Sequence, residues 1–437
     1  MDAMNETIRI DLSKLNRPDY VGSVQHLYFL KDRPDLMVCQ TTSGGSVFDV
    51  GTIFTIPDND KCRAALRHKI YTLLEMPQAW AEVLNTITEI YKDNPTLSEF
   101  LLESPLFKHF LRSGASTHHL GMVDMTTGEV VKGKFPDNPG PYVVVNKYKV
   151  IRPLRISYQT QHLWDYSPYH GADHYVVPLE VIVRFGITPG SSIFRKYQKL
   201  SQEQKEKYLA ELCLQKEMQP WQKLPIALVD FTTKYEPEDR NLSLQEALYI
   251  CSANGQTLLN IIRMALLGAT LVSEFFRHLE LNVWDLKWEI AKHGDNLLFV
   301  DTIDTDSVRV TGKIKYAGNS YHVHFNKQSM RDYYKLLHPD WTEAIDLAKA
   351  EARKSGHFFH EHLSAGQASG KYPQTPEVQE YFVTIQRSKC NVLLTYILGH
   401  LSSKEASKKM HLIGEEEINF YEKAGKLSRL SELNRIG

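Results

Sequence analysis

Asp285-Leu286-Lys287-Trp288-Glu289-Ile290, the turn His293-Gly294-Asp295-Asn296 and the return Leu297-Leu298-Phe299-Val300-Asp301 form the stretch on which the fold turns. Alternation puts Asp285, Lys287 and Glu289 on one face of a strand, with Leu286, Trp288 and Ile290 on the other. A glycine-containing turn between two such runs reads as a hairpin, which brings Asp301 back near Glu289. Clustered carboxylates beside a lysine suit a Mg²⁺–nucleotide site, because hard oxygen ligands hold the metal while the cation neutralises phosphate. On periodicity alone, the same pattern also describes the solvated polar face of a hairpin.

Working outward, Pro178-Leu179-Glu180-Val181-Ile182-Val183-Arg184 embeds an acid and an arginine in a β-branched strand. Glu180 and Arg184, four residues apart, share a face. The planar fork of Arg184 suits a carboxylate or phosphate, and the turn Gly190-Ser191-Ser192 offers hydroxyls and N–H groups to the same anion. The alternative is a Glu–Arg pair on an edge strand. Phe231-Thr232-Thr233-Lys234-Tyr235-Glu236-Pro237-Glu238-Asp239-Arg240 is rich in anion- and metal-binding groups, although a charged surface loop has the same composition. The cluster His357-Phe358-Phe359-His360-Glu361-His362 lacks the HExxH spacing; it, His118-His119 and His322/His324 read as structural.

With 51 basic and 52 acidic residues, the chain lacks the cationic excess of a nucleic-acid or membrane-surface binder. Five scattered cysteines without CxxC spacing support neither a zinc knuckle nor a disulfide framework. Met1 to Glu6 lacks the pattern of a signal peptide. The most apolar run, Ile261 to Val272, contains Arg263 and reads as a buried helix too short for a bilayer. A cytoplasmic enzyme is expected, without membrane or nucleic-acid partners.

At 437 residues, two lobes and an appendage are expected. Residues 19 to 55 read as strands and turns, and helical spacing runs from 62 to 115, with a start at Thr96-Leu97-Ser98-Glu99. Strands return from Tyr142 to Ile156 and from Tyr175 to Phe185. Ser243 to Leu281 is a long helical stretch interrupted near Gly255, and the chain is mostly helical beyond Asp332, with a break at Ser364 to Pro376. The expected division is a β lobe with its helical insertion over 1–145, a mixed lobe over 146–335 and a helical extension over 336–437.

Taken in order, these segments resemble SAICAR synthetase. PLEVIVR followed by GSSIFRKY looks like that family's strand and substrate loop, and LPIALVDFTTKYEPEDRNLS like its lysine-bearing segment. LKWEI…LLFVDTIDTDSVRV is similar to its metal and nucleotide hairpin. Lys327-Gln328-Ser329-Met330-Arg331-Asp332 resembles the segment that follows. Gly22 to Tyr28 and Ser46-Val47-Phe48-Asp49 resemble the N-terminal nucleotide loop and a Ser-Ala-Phe-Asp element. The resemblance covers about residues 20 to 335.

It implies an α+β fold in which a small antiparallel lobe covers ATP and a larger mixed α/β lobe completes the cleft. It also implies a ligase in purine biosynthesis, which activates carboxyaminoimidazole ribotide with ATP and Mg and joins it to aspartate. Glu289 and Asp301 are then the metal candidates. Lys234 faces the reacting groups, Lys287 lies by the phosphates, and Asp285 orients Lys287 or the substrate. Gly22, Lys147 and Glu180 fall on the nucleotide side. Arg184, Ser191, Ser192 and Arg309 hold substrate carboxylate or phosphate, with Ser46 and Asp49 approaching from the first lobe. A homo-oligomer is expected on the same ground.

The chain departs from the pattern at Gly22-Ser23-Val24-Gln25, where the family generally carries two cations. Thr42-Ser43-Gly44, Thr302 and Val308 differ as well, and an insertion rich in Tyr and His lies between Lys147 and Pro178. Two alternatives therefore stand beside the standard ligase. One is a diverged ligase using another amine or heteroaromatic carboxylate; the other is a non-catalytic nucleotide- or ribotide-binding protein.

Overall fold

Leu281–His293, a 13-residue strand, is the spine of the molecule. Its N-terminal half pairs with Leu179–Gly186 on one side and Val308–Tyr316 on the other, while its C-terminal end pairs with Tyr175–Val176 and Asn296–Val300. The strand thus forks, and the chain leaving Val300 must cross the fork to begin again at Val308. The computed structural model describes residues 7–436 apart from 160, 237–238, 252–253 and 356–358. The sheet around this spine runs Asn241–Leu242, Lys223–Thr233, Leu179–Gly186, Leu281–His293, Val308–Tyr316, Asn319–His324 and Arg435–Ile436.

A second, six-stranded sheet has the order Tyr20–Val21, Gln25–Phe29, Leu36–Thr41, Pro139–Asn146, His119–Asp124, Val130–Val131. Every pairing between named strands in both sheets is antiparallel, and helices pack on them, so the class is α+β as expected. The sheets are stitched together where Thr117 bridges Phe299 and the His118 N–H donates to the Phe299 carbonyl at 3.0 Å. That seam lies two residues before Asp301.

The expected helical segment resolves into Asn59–Glu75, Pro77–Ile90, Pro95–Leu102 and Pro105–Ser113. The third begins at Pro95 rather than at Thr96, because the Asn94 side chain accepts from the Leu97 N–H at 3.0 Å and caps the helix. Asn59–Glu75 packs under the six-stranded sheet, and Glu380–Ile397 from the C-terminal region packs on that helix in turn.

Behind the spine lies Gly255–Arg277, a 23-residue helix. Contrary to the reading of Ile261 to Val272, it is long and apolar enough by composition to cross a membrane. In this fold it is the core helix: Met264, Ala265, Leu267, Ala269 and Val272 are fully buried against the sheet. The inserted segment forms a two-stranded hairpin, Leu154–Tyr158 with Gln161–Asp165. After helices Ser403–Lys423 and Leu427–Asn434, Arg435–Ile436 adds a final strand to the large sheet, which the helical reading of the tail missed.

Candidate functional site

Register places the central charges. In the hairpin Glu289 lies opposite Val300, so Asp301, the next residue, returns beside it. The two carboxyls share a hydrogen bond. Leu286, Trp288 and Ile290 take the other face and are buried. Across the sheet Glu180 pairs with Thr232, which donates to it at 2.9 Å. Lys287 reaches Glu180 at 2.5 Å and Glu289 at 3.3 Å. Lys234, just past its strand, forms an ion pair with Glu289.

Three carboxylates and two lysines therefore occupy one patch. Burial pushes the Glu289 carboxyl up, and the neighbouring Asp301 pushes it further. Burial acts on Asp301 in the same sense, but Lys234, the Glu289 hydrogen bond and Lys287 outweigh it, leaving this carboxyl low. The two carboxyls are thus shifted in opposite directions, Glu289 up and Asp301 down. Burial also opposes the charges of Lys234 and Lys287, yet the facing carboxylates hold both ammonium groups above their ordinary range. Asp239 is pushed up to about 6 by burial and by Glu180.

The pair fits a divalent cation. Among the described residues no group of three or more His, Cys, Asp or Glu side chains is arranged for a metal. Two hard carboxylates are what Mg²⁺ takes from a protein when phosphates and water complete its octahedron. The His357-to-His362 cluster contributes nothing to such a site: His362 contacts Glu351 at 3.0 Å and Tyr372 at 3.1 Å, while His357 and Phe358 lie outside the described residues.

Next to this patch stands an arginine pair. Arg184 donates to Asp230 at 2.6 Å and to Ser192 at 2.9 Å, and Arg309 donates to Asp285 at 2.7 Å and Thr188 at 2.6 Å. Asp285 also lies 3.6 Å from Arg184. Of the two roles expected of Asp285, orienting Lys287 or the substrate, the first does not hold, because strand register sets it opposite Arg309 and Arg184. The alternative of a Glu180–Arg184 pair on an edge strand does not form either: the strand is internal, and nearer partners take both side chains.

Ser191 and Ser192 separate in role as well. Ser191 is 1% exposed and caps the helix Ser192–Gln198, its hydroxyl oxygen accepting from the Phe194 N–H. Lys147 stands at the rim of the first sheet with its ammonium 4.0 Å from the Phe29 ring centroid, and its contact there is with that ring rather than with the carboxylate patch.

From the first sheet, the Gly22 N–H donates to the Gln25 carbonyl at 2.8 Å, closing a tight turn. A Cβ on Gly22 would meet that carbonyl oxygen at 2.9 Å, which accounts for the glycine. After Ser46, Phe48 and Asp49 both have left-handed backbones (φ 58° and 61°). Phe48 is braced edge-on by Tyr334 and Trp341, and Asp49 by Lys349 at 2.6 Å. Trp341 and Lys349, beyond the expected mixed lobe, thus help to fix this corner.

Several neighbours escaped the sequence reading. Arg63, Arg67 and Tyr71 recur at helical spacing on Asn59–Glu75 and are buried against the loop 301–306. The signal was faint: two arginines four apart in a helix that also carries Asp60, Lys61, His68 and Lys69. Asp239 and Lys349 gave no such signal, for their proximity to the site is made by loops and by helix packing.

Residues 157–347 match the family model of SAICAR synthetase. A curated relative from Archaeoglobus fulgidus, provisionally named a phosphoribosylaminoimidazole-succinocarboxamide synthase, is 24% identical over 288 residues, covering 65% of this chain and 76% of its own. Among solved structures, SAICAR synthase from Saccharomyces cerevisiae complexed with SAICAR is 16% identical with a TM-score of 0.47, covering 90% of this chain and 98% of its own. The phosphoribosylaminoimidazole-succinocarboxamide synthase of Ehrlichia chaffeensis is 14% identical with a TM-score of 0.42, covering 72% and 92%.

Proposed function

We propose, from the premise that this chain is a divergent relative of the SAICAR synthetases, that it is an ATP-dependent ligase joining carboxyaminoimidazole ribotide to aspartate. The observation that carries the proposal is the single patch of Glu180, Lys287, Glu289, Asp301 and Lys234, set beside the arginines Arg184 and Arg309. A carboxylate is a poor electrophile, and its oxygen is a poor leaving group. Transfer of the γ-phosphoryl group to it, with loss of ADP, gives an acyl phosphate. The amine nitrogen then bonds to the acyl carbon, phosphate departs, and the ammonium proton passes to solvent.

In this reading Glu289 and Asp301 hold Mg²⁺, which when bound supplies charge neutralisation at the phosphates. Lys287, kept charged by Glu180 and Glu289, stands where negative charge gathers, and Lys234 faces the reacting group. Arg184 and Arg309, fixed by Asp230 and Asp285, hold the ribotide phosphate or a substrate carboxylate, with Ser192 supporting Arg184. The turn Gly22–Gln25, which lacks side-chain cations, favours the second reading, a ligase of the same chemistry with a different amine or heteroaromatic carboxylate.

The test is ADP release by purified protein with Mg–ATP, carboxyaminoimidazole ribotide and aspartate, omitting each in turn. Turnover that needs all three is the expected outcome. Nucleotide binding without turnover would overturn the assignment of substrates and direct the search to other carboxylates and amines.

A further inference from the structure

Asp301 is a carboxylate in an unfavourable backbone conformation. Its φ of 65° lies in the left-handed region, which is strained for a non-glycine residue and persists only where the surroundings enforce it. The enforcement comes largely from the helix Asn59–Glu75. The Tyr71 hydroxyl, fully buried, donates to the Asp301 carbonyl at 2.8 Å. Three residues on, Arg63 from the same helix face holds Asp304 at 2.9 Å and Asp306 at 3.5 Å. One helix face therefore grips both ends of the loop that carries Asp301.

Between those two grips sits Arg67, 1% exposed. Its guanidinium contacts Gln25 Oε1 at 3.2 Å, the His118 ring at 3.5 Å and the Cys39 sulfur at 3.9 Å, and its Nε has no hydrogen-bond partner among the described residues. His118 in turn holds the strand two residues before Asp301, its backbone N–H donating to the Phe299 carbonyl at 3.0 Å. A buried guanidinium without a carboxylate in contact is costly, so a nearby negative charge is required to offset it. Among the groups that act on Arg67, the carboxylate is Asp301. Gln25 lies in the turn Gly22–Gln25, so Arg67 joins the turn and the carboxylate pair through one side chain.

We propose that Tyr71, His118 and Arg67 are positioning residues for the carboxylate pair, holding the backbone from Phe299 to Asp301 so that the Asp301 carboxylate faces Glu289, and tying the Gly22–Gln25 turn to that point. The inference rests on the reading of Glu289 and Asp301 as the Mg²⁺ site and adds the helix that builds it. Partners that orient metal ligands typically change metal affinity by about 10–100-fold when removed, without touching the ion.

Tyr71→Phe deletes one hydroxyl and keeps the ring, so it is the decisive variant. ADP binding is measured by calorimetry across a Mg²⁺ titration and again in chelator, alongside the melting temperature of the ligand-free protein. The expected result is a Mg²⁺ midpoint raised about tenfold or more, with ADP binding in chelator unchanged. Arg67→Met should raise the midpoint too, and Arg67→Lys should restore part of it by returning the charge. An unchanged midpoint in both Tyr71→Phe and Arg67→Met, with only a lowered melting temperature, would overturn the proposal and leave a structural role. If the wild-type protein shows no Mg²⁺-dependent ADP binding, the metal-site reading fails first and takes this inference with it.

Discussion

Ser191 and Asp301 show how far a side chain's chemistry can be read without its surroundings. A serine in a Gly-Ser-Ser turn is a plausible anion ligand, yet the Ser191 hydroxyl accepts from the Phe194 N–H as a helix cap. Ser191→Ala should therefore cost about 1 kcal/mol of stability in urea unfolding, within the usual range for a lost cap. Its effect on substrate KM should be less than twofold; a tenfold rise in KM with unchanged stability would return Ser191 to the ligand set. Asp301 carries the opposite expectation. Asp301→Asn keeps the shape and removes the charge that Lys234 and Lys287 face, so ADP binding should lose its Mg²⁺ dependence while the fold survives. Mg²⁺-dependent ADP binding that persists undiminished would place the metal elsewhere.

Elements set which of these residues meet. The hairpin around His293–Asn296 was legible because alternation and turn chemistry agree, and its register alone delivers Asp301 to Glu289. The helix Gly255–Arg277 was legible as buried and in its extent, since the helical stretch from Ser243 to Leu281 reads as broken near Gly255, where the Asn254 cap starts it. Gly268 in its middle offers a test of packing against propensity. Alanine is the better helix former by about 1 kcal/mol. A Cβ there would stand 2.7 Å from the Phe299 ring and 3.1 Å from the Trp288 ring, both fully buried and unable to yield. Gly268→Ala should thus destabilise by about 1–3 kcal/mol, as overpacking does. A rise in the midpoint of thermal unfolding would show that the rings move aside.

At the scale of the whole molecule, burial of histidines makes a prediction about pH. Burial pushes His68 down to about 4 and His322 and His324 down to about 3, and lowers His118 and His119 strongly as well. These rings are neutral when folded and take up protons near pH 6.5 when unfolded. Their stabilising effect is complete above that pH and declines as pH falls toward the folded values. Between pH 6.5 and 5 each ring should remove about 2 kcal/mol. Urea unfolding at pH 7.5 and pH 5.0 measures the sum, and a flat profile would mean that the rings are charged or solvated in the folded state.

The sequence by itself determined the period-two strands, the hairpin that pairs Glu289 with Asp301, the apolar helix behind it and the class of chemistry that such carboxylates and lysines can perform. These are local matters: alternation, turn residues and side-chain type act over a few residues and need no knowledge of distant chain. Only the tertiary structure decided that Lys234 and Glu180 join that hairpin, that Asp285 serves two arginines, and that Lys147 stays with Phe29. It also decided that Arg67, Tyr71 and Lys349 converge on the site from helices far away in sequence. Such contacts depend on strand order, on register and on helix packing, and each is fixed by burying apolar faces across the whole fold. No spacing within one segment encodes them.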